Sequence, residues 1–405
     1  MEEFKKLGIS KAILDVIEAE RFEKPTEIQI RTIPIILEGK DVLGGSATGS
    51  GKTLAFGAGI IHNTNKGKGI QALILTPTRE LAEQVSQSLR KFSKNLNLTV
   101  TPIYGGVSIN PQMDALPRSE IVVGTPGRLL DHISRNTINL TKVKTLVLDE
   151  ADVMLDMGFI EDVEKIVKQC PNEKQTLLFS ATLPPEITRL SSRYMKNPVK
   201  INAVQYVDPK KLKQIYYDTP DNLKFSLLVH FLKEEHSGLV MIFCNTRSTV
   251  DFVTKNLRSN KVDAVAIHGG LTQAKRTNIM KQFNSASVHA LVCTDVAARG
   301  LDIKGVSHIY NYDIPKESKQ YVHRIGRTAR AGKEGMAINL LSNKDYDNFD
   351  RVLRDNDLDI EKGERPQVEK VKVIRMDSNR SQGGRRGGFN PRRFGPRRSG
   401  PRRRH

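Results

Sequence analysis

No apolar run in the 405-residue chain reaches the roughly 18 residues of a bilayer span, which argues against a membrane protein. The opening Met1-Glu2-Glu3-Phe4-Lys5-Lys6 has no apolar stretch behind a basic start, so no secretory leader is expected. Cysteine is scarce: Cys170, Cys244 and Cys293 lie far apart, form no CxxC pair, and fit reduced thiols of a cytoplasmic protein. The nine histidines make no HExxH motif and no His-rich tract, so none is assigned to a metal. Acid is absent from Arg380 to His405, a segment with ten arginines.

That last absence governs the charge balance. Of the net charge of +19, ten units sit in the tail and nine belong to the rest (19 − 10). An excess of this size points to a polyanionic partner, nucleic acid before anionic membrane. General solubility is the plainer explanation, and the concentration of arginine at one end speaks against it. Ser378 onward is mainly Arg, Gly, Pro, Ser and Asn, with Phe389 and Phe394. Such a segment buries too little apolar surface to offset ordering entropy and is expected to be disordered. Its arginines suit phosphate, and its two aromatics suit base stacking.

Short apolar runs alternate with longer amphipathic stretches. Ala72–Leu75, Ile121–Val123, Thr145–Leu148, Thr176–Phe179, Val240–Phe243, Ala264–Ile267, Ala290–Cys293 and His308–Tyr310 read as strands. Several are apolar at every position, as parallel strands covered on both faces are. Arg79–Phe92, Glu161–Lys168, Ser248–Leu257 and Gln273–Phe283 read as helices. The alternation predicts α/β architecture with doubly wound parallel sheets. The rhythm weakens near Asp208-Pro209-Lys210-Lys211, so domains are expected at residues 1–202 and 213–362, with a linker at 203–212 and a basic tail at 363–405.

Two motifs carry phosphate chemistry. Val42-Leu43-Gly44-Gly45 reads as a strand end, followed by Ser46-Ala47-Thr48-Gly49-Ser50-Gly51-Lys52-Thr53 and a helical run. Small residues let backbone amides close round phosphate oxygens at a helix N-terminus. Lys52 then reaches the β and γ phosphates, and Thr53 holds Mg²⁺. Alone, the loop also fits a flexible Gly/Ser turn. The second motif is Asp149-Glu150 after the strand Thr145–Leu148. A carboxylate at the C-terminal end of a parallel strand lies where open α/β sheets bind ligands. Asp149 is expected to hold Mg²⁺, partly through water, and Glu150 to position or deprotonate the attacking water. An acidic helix N-cap is the alternative for this pair.

With these residues the chain resembles the DEAD-box family of ATP-dependent RNA helicases, from about Phe4 to Leu353. The tetrapeptide Asp149-Glu150-Ala151-Asp152 is the family's namesake. Phe22-Glu23-Lys24-Pro25-Thr26-Glu27-Ile28-Gln29 looks like its Q motif, in which Phe22 stacks on adenine and Gln29 bonds the base edge. Pro77-Thr78-Arg79-Glu80-Leu81-Ala82, Gly105-Gly106 and Thr125-Pro126-Gly127-Arg128 match the segments that line the RNA track, implicating Pro77, Thr78, Arg79, Gly106, Thr125 and Arg128. Ser180-Ala181-Thr182 resembles the motif that couples nucleotide to RNA through Asp152. In the second half, Gly269, Gln273 and Arg276 match backbone-binding positions, and Thr294 an RNA contact. Arg299, His323 and Arg324 match interdomain coupling positions, and Asp302 the ribose ligand. By the same resemblance Arg327 and Arg330 are arginine fingers on the γ-phosphate. Ser46-Ala47 and Ala329 depart from the commoner residues without touching catalytic positions.

The resemblance implies two RecA-like domains in tandem and the cofactors ATP and Mg²⁺. It also implies single-stranded or short duplex RNA as partner, read with little base specificity, ribonucleoprotein components as further partners, and a monomer. A DNA translocase, an RNA clamp that unwinds little and an inactive RNA-binding relative are the competing readings. The intact Lys52, Glu150, Arg327 and Arg330 count against the last.

Overall fold

The computed structural model describes residues 1–45, 50–202, 212–234, 238–299, 301, 303, 305–328 and 335–374. The first sheet comprises β1 (Val42–Gly45), β2 (Ala72–Leu75), β3 (Val100–Ile103), β4 (Ile121–Gly124), β5 (Thr145–Asp149), β6 (Gln175–Ser180) and β7 (Val199–Asn202). They are parallel and run in the order β3-β4-β2-β5-β6-β1-β7. The second sheet comprises β8 (Lys213–Asp218), β9 (Leu239–Phe243), β10 (Ala264–Ile267), β11 (Ala290–Cys293), β12 (Val306–Asn311), β13 (Met336–Leu341) and β14 (Glu361–Lys362). Its order, β10-β11-β9-β12-β13-β8-β14, repeats that of the first strand for strand. The two halves share a topology that direct sequence alignment does not reveal.

Apolar runs without alternation are explained by layers on both faces. Ala72 and Ile74 of β2 pack into one core of the first sheet, and Leu73 and Leu75 into the other. In β9, Leu239, Met241 and Phe243 face one core of the second sheet while Val240 and Ile242 face its opposite. Successive side chains of a strand point to opposite faces, so both registers must be apolar when both faces are covered. The helices are cut to fit. Arg79–Phe92 starts at Thr78, whose hydroxyl accepts the Leu81 amide at 3.3 Å, and buries Leu81, Ala82, Val85, Leu89 and Phe92 in one stripe. Thr246 caps Arg247–Ser259 in the same way, accepting the Thr249 amide at 3.1 Å. Among the described residues no helix is long and apolar enough to cross a membrane.

Register aligns the functional segments. Leu75 pairs with Gly124 and Leu148, Ile103 with Gly124, Asp149 with Phe179, and Gly45 with Ser180. All six strands therefore end at one edge of the sheet, where their following loops converge. Ile267, Cys293, Phe243 and Asn311 form the corresponding edge of the second sheet.

The expected linker lies outside the described residues except for Leu212, as does the chain from Arg375 onward. The expected start of the tail is corrected. Residues 363–374 include Val368, Val371 and Val373, which pack against the second domain's core. The amide of Gly363 donates to Tyr216 O (2.8 Å), and that of Val371 to Ser226 Oγ (3.1 Å). Alternating valines supply this anchorage.

Glu120 ties the opposite end of the first sheet. Its buried carboxylate accepts the amides of Thr99 (2.7 Å) and Gly67 (2.9 Å) and the Lys66 ammonium (3.1 Å). Burial alone pushes its acidity the other way, but these donors together hold the carboxyl below the ordinary glutamate range. A depressed folded-state value means stability that is present above the unfolded-state value and is lost as pH falls through the folded one. Glu120→Gln is therefore expected to cost about 1–3 kcal/mol near neutral pH. Urea titrations across pH should show the difference from wild type closing below the ordinary carboxylate range; a pH-independent difference would reject the ionic origin.

Candidate functional site

Four of the expected cofactor and catalytic positions, Thr48, Gly49, Asp302 and Arg330, lie outside the described residues. Of the phosphate loop, Ser50 is half-buried and Gly51 has φ 92°, the left-handed region that glycine tolerates. A Cβ at Gly51 would also meet the Gln29 side chain. Helix Lys52–Asn63 begins there, so Thr53 lies in its first turn.

Lys52 and Asp149 meet at the strand ends, with Nζ 3.4 Å from Oδ1 and their side chains 6% and 3% exposed. Burial opposes the charge on Lys52, yet Asp149, Glu150 and Asp152 outweigh it and raise its pKa. Burial raises the Asp149 pKa against the opposing pull of Lys52. Asp149 Oδ1 is buried, and beyond its ion pair with Lys52 it accepts no hydrogen bond. A buried carboxylate oxygen held only by that ion pair, with Thr53 next in the chain after Lys52, fits Mg²⁺, which takes one or two protein oxygens and fills its octahedron with phosphate and water. No three His, Cys, Asp or Glu side chains cluster as a metal cage among the described residues. Glu150 follows, buried, at φ 53° and ψ 52° between β5 and helix Ala151–Asp156. A left-handed non-glycine residue costs about 1–2 kcal/mol and persists where its surroundings enforce it.

Gln29 accepts the Thr26 amide (3.0 Å) and donates to Gly51 O (3.0 Å). It thereby completes a capping box on helix Glu27–Leu37 and joins that helix to the phosphate loop. Phe22 is 42% exposed, with its ring 6.4 Å from that of Phe92, so it is no core aromatic. Asp152, Ser180 and Thr182 form a closed network. Asp152 Oδ2 accepts from Thr182 N (2.8 Å) and Oγ1 (3.0 Å), while Ser180 Oγ accepts the Asp152 amide (3.1 Å) and donates to Thr182 O (2.6 Å).

Pro77, Thr78, Gly106 and Thr125 lie on loops that follow strands of the first sheet, and Arg79 and Arg128 in the first turns of the helices Arg79–Phe92 and Pro126–Ser134. Arg79 lies against Gly106, which has φ 79° and leaves no room for a Cβ. Arg128 Nη2 donates to Val107 O at 3.0 Å, and its Nη1 is buried without a partner. The two arginines brace the glycine turn. Thr78 spends an acceptor on its helix cap, which limits what it offers a phosphate.

The second sheet's edge carries exposed Gly269 and half-buried Thr294, the latter preceding helix Asp295–Ala298. Arg276, expected to contact RNA, is ion-paired in this structure. Its Nε donates to Glu80 Oε1 of the first domain at 2.6 Å, joined by Gln273 Nε2 at 3.1 Å. Arg299 reaches the first domain, with Nη2 2.9 Å from Asp156 Oδ2. His323 is held below the usual histidine range, by burial first and then by Arg299 and Arg327, against the pull of Asp152 and Asp156. It is thus within electrostatic range of the first domain's acids. Arg324 corrects another expectation: it is 1% exposed and turned into its own domain, gripping Asp295 Oδ1 (2.6 Å) and Oδ2 (2.7 Å) and Asn245 Oδ1 (2.9 Å). Arg327 is buried and donates Nη1 to Leu301 O at 2.9 Å.

Glu80, Asp156, Asn245 and Asp295 received no role from the sequence. Glu80 and Asp295 read as ordinary acids in a first helical turn, and their arginine partners lie 196 and 29 residues away. Strand-end position was the usable signal for Asn245 and Asp295, which follow β9 and β11 closely.

Two family models match the chain: DEAD/DEAH box helicase over residues 26–190 and helicase conserved C-terminal domain over residues 223–332. The chain is 44% identical to the DEAD-box ATP-dependent RNA helicase CshA of Geobacillus kaustophilus over 92% of its own length and 80% of that protein's. It is 46% identical to CshA of Bacillus cereus over 84% of its length, spanning 65% of that relative. Among solved structures, S. cerevisiae Dbp5 bound to RNA and ADP BeF3 matches 90% of the chain and 96% of its own, at 30% identity and a TM-score of 0.80.

Proposed function

The chain belongs to the DEAD-box family of ATP-dependent RNA helicases, ATP-hydrolysing enzymes, and from that premise we propose how its residues divide the work. The first domain, 1–202, binds ATP through Phe22, Gln29, the phosphate loop with Lys52, and Thr53. The second, 213–362, closes on it and brings Arg327, Arg330 and Asp302 to the nucleotide. Thr53 and Asp149 hold Mg²⁺, which when bound neutralises charge on the phosphate oxygens. Glu150 positions the water and takes its proton. Asp152, Ser180 and Thr182 carry the nucleotide state to the RNA track. The paired edges hold RNA by phosphates and 2′-hydroxyls, bending one strand and separating short duplexes or remodelling RNA–protein complexes. Loss of the γ-phosphate releases the clamp. The protein works as a monomer in the cytoplasm, with ribonucleoprotein components as partners and the arginine tail as a sequence-tolerant RNA anchor.

The observation that supports this division is the buried Lys52–Asp149 ion pair, whose carboxylate oxygen has no further hydrogen-bond partner. The ion pairs of Glu80 with Arg276 and of Asp156 with Arg299 support contact between the two domains. Closure driven by both ligands has a thermodynamic signature: RNA must tighten ATP binding by the same factor by which ATP tightens RNA binding. Titrating a non-hydrolysable ATP analogue with and without RNA, then RNA with and without the analogue, should give equal factors. Unequal factors would eliminate the two-ligand clamp.

A further inference from the structure

Two asparagines interrupt the apolar interior of the second sheet. Asn311 ends β12, Asn339 lies within β13, the register pairs them, and both are 0% exposed. Asparagine in such a place is costly unless every polar atom is satisfied, and two leucines of similar size would pack without that demand. Here the atoms are satisfied by one connected set of bonds. Asn311 Nδ2 donates to Asn339 Oδ1 (2.8 Å), and Asn339 Nδ2 donates to Tyr321 Oη (3.1 Å) and Ile215 O (3.2 Å). Tyr321 Oη donates in turn to Gln214 Oε1 (2.7 Å), and Arg324 Nη1 donates to Asn311 Oδ1 (3.0 Å).

Both ends of this set grip one helix, Ser318–Ile325, at Tyr321 and Arg324, which are neighbours one turn apart on its inner face. Apolar packing tolerates small rotations of a helix about its axis, whereas two directed hydrogen bonds to fixed strands do not. His323 lies on the same helix and Arg327 just beyond its C-cap, Gly326. Rotation of the helix would therefore swing His323 and Arg327 relative to Asp152 and Asp156 of the first domain.

We propose that Asn311 and Asn339 are positioning residues, which fix the rotational setting of helix Ser318–Ile325 and so aim Arg327 at the nucleotide. The proposal rests on the arginine-finger role given to Arg327 above. It acts on turnover and not on ligand affinity, because the asparagines touch neither ATP nor RNA. A displacement of about 1 Å at a reacting group can cost up to ~100-fold in rate.

The test uses the full chain with Asn311→Leu and Asn339→Leu combined, which removes both partners of their mutual bond and leaves no orphan between them. RNA-stimulated kcat should fall about 10- to 100-fold, with KM for ATP and for RNA within about twofold and the thermal midpoint close to wild type. In an Arg327→Lys background the same pair should add less than about twofold, since the group it aims is already impaired. Unchanged kcat, or the same loss in both backgrounds, overturns the proposal. If the leucine pair does not fold, Tyr321→Phe removes a single hydroxyl and should still lower kcat severalfold at constant KM; no change in kcat is then the overturning result. Should Arg327→Lys alone retain full turnover, the arginine-finger role itself fails. Should Arg327→Lys be impaired while the asparagine and tyrosine variants are not, only the positioning role fails.

Discussion

Arg327→Ala is expected to lower RNA-stimulated ATP turnover by about 10³- to 10⁵-fold, the range that an arginine finger contributes in phosphoryl transfer. The side chain is 8% exposed, and one N–H is committed to Leu301 O, so the plane of the guanidinium is set before ligand arrives. A pre-oriented fork loses little freedom when it meets the charge that develops on the transferring phosphoryl group. Because that charge grows towards the transition state, the loss should fall on kcat and leave the affinity for RNA alone unaltered. Lysine should not restore the rate, since a compact ammonium cannot reproduce two parallel N–H donors. Steady-state ATPase with saturating RNA, together with equilibrium RNA binding, measures both quantities. Turnover within tenfold of wild type would show that Arg327 serves packing at Leu301 and not catalysis.

Glu150→Gln should lower hydrolysis by about 10²- to 10⁴-fold, the usual contribution of a positioned general base. The substitution keeps the shape of a side chain that is 4% exposed, and glutamine suits the left-handed backbone no worse than glutamate does. The fold should therefore persist, and ATP and RNA should still bind. With closure intact and hydrolysis stalled, the complex with both ligands should outlive the wild-type one by a factor similar to the loss of turnover. Dissociation of labelled RNA after a chase reports that lifetime. A variant that stalls without trapping RNA would place Glu150 in assembly of the closed state instead of in its chemistry. The two side chains act from opposite domains: Arg327 on the charge that develops on the transferring phosphoryl group, and Glu150 on the attacking water.

Strand ends were the most legible feature of the chain. Ala72–Leu75, Ile121–Val123 and Leu146–Leu148 are short and apolar, so the local pattern alone places Asp149 at a strand end and Pro77 and Thr125 just beyond one. The arginines were less legible, because a guanidinium reaches far and its partner is chosen in three dimensions. Arg276 and Arg324 both sit on helices beside functional segments and look equivalent in sequence. Arg276 meets Glu80 across the domain boundary, while Arg324 is drawn inward by Asp295 and Asn311. Residues 363–374 were misread for the opposite reason. Their three valines are too sparse to signal packing until the surface they cover is known.

The sequence by itself determined the alternation of strand and helix, the doubly wound class, the helix-start placement of Lys52, the strand-end placement of Asp149 and Glu150, and the basic tail, since each depends on residues close together along the chain. Tertiary structure decided which charges neutralise one another. Lys52 and Asp149 lie 97 positions apart (149 − 52), Asp152 and Thr182 thirty, and Glu80 and Arg276 come from different domains. Burial fixed the outcome in each case, because a charge or an amide removed from water must find its partner wherever the fold brings one.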